Sequence, residues 1–375
     1  MNKITTTPLN FDATAPVTAE VENLINVFTR QIGPDHPGGQ LVVLHHGRVV
    51  VDLAAGQADQ ARKIPVRADT PFLTFSLTKP LVAVAIHQLI EQGRLSLDAP
   101  VADYWPEFGC KGKETATIRH TLLHQAGIPL KGMYSQTPLW LKWGWVCRNV
   151  ARTPAEFPPG QQTAYHLVNG GFILGEVIRR VTGQPVAHYL HDSILAPLGL
   201  TNSYLGLSRS ARRRTAQIYS GCVDQNSTIL AFRLLRQTVV PSATLHSTAR
   251  EVAIFYQMLL NGGRYGSQQI LQPETIEAAT TLAYSGYDGT LDNQVHIGYG
   301  FALGGRDYDY GRTFGWPSTR RTFGHLGQRS CMAWADKDHE LVCVFLCNRL
   351  LSNEESNRRW CEISDAVWAA VDRGR

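Results

Sequence analysis

Ser76-Leu77-Thr78-Lys79 sets a hydroxyl and an amine three residues apart at the head of an apolar run. That run, Leu81, Val82, Val84, Ala85, Ile86, Leu89 and Ile90, predicts a helix that stops at Gly93. Pro80 has no N–H and fits only near a helix start, so the helix is expected to begin close to Ser76. Residues three apart share a helix face, which lets Lys79 reach back to the Ser76 hydroxyl. A serine at that end meets unpaired backbone N–H groups and the positive end of the helix dipole, both suited to developing negative charge. The pattern is that of an activated serine nucleophile.

A short strand over Pro71–Phe75 leads into Ser76, and a hairpin is expected upstream, Gln40–Leu44 and Arg48–Leu53 around His46-Gly47. Val21, Leu24, Ile25 and Phe28 give Ala15–Ile32 helical spacing. Beyond Ser76 helical patterns dominate, clearest at Thr117–Gln125, Asn169–Thr182 and Thr248–Leu260, the last opening on a capping-box match, Thr248 to Glu251. Strands return at Gly298–Leu303, Arg321–His325, Cys331–Asp336 and Glu340–Cys347, and Asn353–Val371 closes the chain as a helix. The expected fold class is therefore α/β in the α+β sense: an antiparallel sheet built from both chain ends, covered by the terminal helices, with a mostly helical lobe inserted. Residues 1–75 and 295–375 form the sheet lobe in this reading and 76–294 the helical lobe, with the active site in the cleft between them.

The chain has 375 residues, 43% hydrophobic, which suffices for a large core. Lysine and arginine number 36 against 31 acidic residues, and this thin excess implies no nucleic-acid partner. The tight basic run Arg212-Arg213-Arg214 reads as a solvated loop. Seven cysteines, an odd number with no two-residue spacing, suit a reducing compartment and small buried core positions. Met1–Thr18 has one lysine and no continuous apolar stretch, so neither a secretory signal nor a membrane anchor is expected, and a cytoplasmic protein is.

Two further motifs follow in order. Pro159-Gly160 precedes Tyr165 and then Asn169-Gly170-Gly171-Phe172-Ile173-Leu174-Gly175; His325-Leu326-Gly327 lies in a late strand. With Ser76-x-x-Lys79, Asp69-Thr70-Pro71-Phe72 and Thr117 to Pro129, these resemble the serine β-lactamase-like hydrolases, above all class C β-lactamases, family VIII carboxylesterases and D-amino-acid peptidases of the same fold. The resemblance runs from about Gly38 to Leu350. His325-Leu326-Gly327 stands where penicillin-recognising enzymes carry Lys-Thr-Gly.

The resemblance implies roles. Ser76 attacks; Lys79 is a base only if burial or a nearby positive charge lowers its pKa; Tyr165, acted on by the lysine charge, is the second proton carrier. Which of Lys79 and Tyr165 takes the serine proton stays open. Backbone N–H groups of Ser76 and Gln328 are the implied oxyanion hole, and Gly327 leaves the strand edge open to substrate. Substrate contact is expected from His325, Gly327 and Leu167, with Tyr134 and Trp316 as aromatic pocket walls. Leu167 replaces the asparagine of the usual Tyr-x-Asn, and His325 the lysine that holds a β-lactam carboxylate; of the small-molecule ester or amide substrates expected, both changes favour an ester.

No metal or organic cofactor is expected, and neither His45-His46 nor His120 with His124 has the company of a metal site. The expected activity is a carboxylesterase with weak β-lactamase activity. Acyl transfer, D-amino-acid peptidase or amidase activity, and a catalytically silent binding protein on the same fold are the rival readings.

Overall fold

The computed structural model describes residues 9–12, 17–32, 37–128, 140–220, 236–305 and 311–371. Strand β1 (Gly38–His45) is apolar on both faces because helices cover both. Leu41 and Val43 face one core, Val42 and Leu44 the other, as the two-residue period of a strand requires. It lies between β2 (Arg48–Asp59) and the late strand β9 (Leu341–Cys347), where Leu41 opposes Phe345.

The other strands of this sheet are β3 (Ile64–Pro65), β4 (Tyr284–Asp288), β5 (Asn293–Ile297), β6 (Ala302–Leu303), β7 (Thr322–Gly327) and β8 (Cys331–Asp336). They complete a nine-stranded antiparallel sheet in the order β4-β5-β6-β7-β8-β9-β1-β2-β3, joining the first strands to the last. One face is covered by the terminal helices α1 (Ala19–Gln31) and α6 (Asn353–Val371), which bury Leu24, Phe28, Trp360, Ile363 and Val367 with Phe345 and Trp334. Trp334 and Trp368 stack at 5.5 Å.

The other face carries the larger core. Helix α2 (Thr78–Glu91) is buried on nearly every side, as its low polarity demands, and packs on α4 (Asn169–Thr182). Helix α3 (Trp143–Arg152) leans on α4 in turn.

The structure redraws the division expected at 76 and 295. Strands β4 and β5 add to the sheet from inside the segment read as helical, and the 295 boundary falls within β5. Helix α5 (Ala249–Leu260) lies on the sheet, against β9, β1 and β8. The β4–β5 hairpin is half-exposed and polar, so its alternation is weak. Thr248 caps α5 by accepting from the Glu251 N–H, but the Glu251 carboxylate turns to Ser203 and Asn202 instead of closing the box. The basic run read as a loop is the end of a short helix, Arg209–Arg214. Among the described residues no helix is long and apolar enough to cross a membrane.

Candidate active site

Ser76 sits in a turn that the chain braces from both sides. Phe75 takes a φ of 51°, a left-handed conformation uncommon for an aromatic residue, and presents the next residue at the head of α2. Thr78 locks the turn: its hydroxyl donates to the Phe75 carbonyl at 2.6 Å and accepts from the Leu245 N–H at 3.0 Å. Helix α2 then brings Lys79 round, with Nζ 3.3 Å from Ser76 Oγ.

The lysine amine is held by backbone as well. It donates to the carbonyls of Leu167 at 3.0 Å and Ser242 at 3.3 Å. Neutral carbonyls orient the amine without supplying a full counter-charge, and burial lowers its pKa to about 7. Gly171 makes the Ser242 contact possible, since a Cβ there would lie 2.5 Å from the Ser242 nitrogen.

Tyr165 is buried beside this amine, with Lys79 Nζ 4.6 Å from its ring centroid. His124 meets the phenol ring edge-on at 4.6 Å, and the His325 ring lies 6.1 Å from it. The two-residue period of β7 puts Phe323, His325 and Gly327 on the face toward α2 and the larger core, opposite Leu326. His325 Nδ1 donates to the Leu326 carbonyl at 2.7 Å, which identifies the tautomer. Burial, and secondarily the Lys79 charge, push the His325 pKa down to about 3. Burial also takes His166 to about 4 and His124 well below its ordinary value, so all three imidazoles are neutral at pH 7.

A cavity opens beside these groups. Val82, Leu122, Leu174, Val295, Ile297 and Phe301 make its apolar walls, while Lys79, His124, Tyr165 and His325 supply its polar edge.

The structure thus gathers Ser76, Lys79, Tyr165 and His325, and the end of β7 comes to the same place. Gly327 is required there for a different reason from the open strand edge expected: a Cβ would lie 2.3 Å from the Thr74 carbonyl oxygen, two residues before Ser76. Gln328 follows with its side chain exposed and a φ of 25°.

Other expected contacts change. Leu167 serves the site through its carbonyl on Lys79, and its side chain is absent from the cavity walls. Trp316 stands apart from the cavity: it is 55% exposed, its N–H donates to Asp365 of α6, and Arg312 lies over its ring. Its segment packs on the terminal-helix side of the sheet. Tyr134 lies outside the described residues. Trp140 and Trp143 pack on Phe172, with the Trp143 N–H on Glu176, as core residues.

Three contributions were missed in the sequence. From the sequence His124 reads only against a metal site; in the structure its ring lies against that of Tyr165, and among the described residues no cluster is arranged to hold a metal ion. Ser242 acts through its carbonyl, which leaves no side-chain signature. Asp288, whose carboxylate accepts the Tyr165 N–H at 3.0 Å, is followed by Gly289, a turn signal that marks the hairpin but not its target.

A family model described as Beta-lactamase matches residues 24–367. Among curated relatives, the esterase/beta-lactamase LipL of Mycobacterium tuberculosis (strain ATCC 25618 / H37Rv) is 29% identical over 350 residues, covering 84% of this chain and 78% of that protein. Among solved structures, a penicillin-binding protein homolog from Caulobacter crescentus is 30% identical with a TM-score of 0.83, over 95% of this chain and 99% of that one. A family VIII carboxylesterase is 27% identical with a TM-score of 0.81, over 94% and 98% respectively.

Proposed function

The chain belongs to the Beta-lactamase family, and from that premise we propose how it acts as a serine hydrolase of carboxylic esters, through an acyl-enzyme formed on Ser76. The observation that carries the proposal is the 3.3 Å approach of Lys79 Nζ to Ser76 Oγ, by an amine whose pKa burial brings to about 7. At neutral pH about half of such amines are unprotonated and able to act as general base.

Ser76 Oγ attacks the ester carbonyl carbon as its proton passes to Lys79 Nζ. The Ser76 and Gln328 N–H groups take the negative oxygen, each such donor typically worth about a hundredfold or more in rate. When the alkoxide leaves, a proton reaches it through the Tyr165 phenol, and the acyl group stays on Ser76. Water then enters along the same path: its proton goes to the Lys79–Tyr165 pair, its oxygen forms the acid, and Ser76 Oγ recovers a proton.

Two features support esters over β-lactams. His325 is neutral where a carboxylate-binding lysine would stand, and Leu167 offers no amide at the asparagine position. The apolar walls suit an uncharged acyl group. We further propose a cytoplasmic location, which the free thiols of Cys110, Cys147, Cys331, Cys343, Cys347 and Cys361 support.

Labelling with a fluorophosphonate followed by peptide mass spectrometry tests the nucleophile. A single adduct on Ser76 is expected; an adduct elsewhere, or none on folded protein, would remove the assignment.

A further inference from the structure

We infer that Asp288 is a positioning residue for Tyr165, and that the β4–β5 hairpin fixes the phenol and shapes the acyl cavity as one unit. The inference rests on the role given to Tyr165 above.

Asp288 ends β4 and is only 1% exposed, a costly place for a carboxylate unless its oxygens are satisfied. Its Oδ1 accepts three backbone N–H groups: Thr290 at 2.8 Å, Leu291 at 2.9 Å and Tyr165 at 3.0 Å. The first two close the hairpin's own turn. The third reaches across 123 residues of sequence to the residue carrying the phenol. A second tie runs alongside, from the Gly289 N–H to the Thr163 carbonyl at 3.0 Å, and Thr163 pairs with Asp288 as a parallel bridge. The segment 163–165 is thereby pinned to the hairpin at both ends.

The same hairpin faces substrate. Leu291 in its turn and Val295 and Ile297 on β5 line the cavity beside Tyr165. A bond to the Tyr165 backbone nitrogen sets where the side chain starts, and its ring lies against those of His124 and His325. Misplacing a catalytic group by about 1 Å can cost on the order of a hundredfold in rate.

The test uses the full chain and nitrophenyl butyrate. Asp288→Ala is expected to lower kcat by about 10- to 100-fold with KM within about threefold, and to keep a saturable fluorophosphonate adduct on Ser76. Asp288→Asn, which retains an acceptor oxygen, is expected to restore kcat to within about threefold of wild type. In a Tyr165→Phe background Asp288→Ala should cost under about threefold, because the group it positions is already gone. An equal cost in both backgrounds overturns the inference, as does an unchanged kcat in Asp288→Ala. Should Asp288→Ala not fold, a folded Asp288→Asn that loses tenfold or more overturns it as well. Ser76→Ala run in parallel keeps the questions separate: ester turnover surviving there removes the hydrolase reading itself, whatever the Asp288 variants do.

Discussion

Gly327 at the end of β7 rests on the carbonyl of Thr74, so closely that a Cβ would fall 2.3 Å from that oxygen. This contact brings the strand end to the turn that carries Ser76, and the Gln328 N–H that follows it is the second donor of the proposed oxyanion hole.

Gly327→Ala should therefore part the strand from the nucleophile turn. A loss of tenfold or more in kcat/KM is expected, with a destabilisation of about 1–3 kcal/mol, read from ester kinetics and urea melts. Wild-type kinetics in this variant would mean that the strand end has no part in holding the oxyanion.

In the proposed mechanism Lys79 gives the activity its pH dependence. Burial places its pKa at about 7, and the working form in that mechanism is the neutral amine. kcat/KM should then rise as pH climbs from about 6 to 8 and level off above. A limb found only near the ordinary lysine value would contradict the role.

Stability follows the same shift with the opposite use. The folded state disfavours the ammonium, so stability is lowest below pH 7 and grows as pH rises from about 7 toward the free value of 10.5. Lys79→Met should abolish ester turnover yet stabilise the protein by about 1–2 kcal/mol at pH 6, measured by thermal unfolding.

How much of this was legible in the chain depends on distance along it. Ser76 and Lys79 lie within one helical turn, so their meeting is written locally. Helices Asn169–Thr182 and Asn353–Val371 follow from apolar periodicity, and Cys331–Asp336 from a dense apolar run between turns. The β4–β5 hairpin, with Tyr284, Gly286 and Tyr287 half or wholly exposed, has no such pattern. Contacts across 123 residues from Tyr165 to Asp288, or 163 from Lys79 to Ser242, involve backbone atoms that every residue has. Trp316 reads from the sequence as an aromatic pocket wall, whereas Asp365 and Arg312 hold it at the far face.

The cavity walls should set acyl-chain preference. Leu174→Trp is expected to reduce turnover of octanoyl relative to acetyl esters by about tenfold or more, while Trp316→Ala leaves the chain-length profile unchanged. The reverse pattern would move the acyl site to the Trp316 side.

The most direct measurement compares wild type with Ser76→Ala on nitrophenyl esters of graded length and on nitrocefin. Wild type should turn over esters well and nitrocefin far more slowly, and the variant neither. Ester turnover persisting undiminished in folded Ser76→Ala would contradict the assignment of the nucleophile and everything built on it.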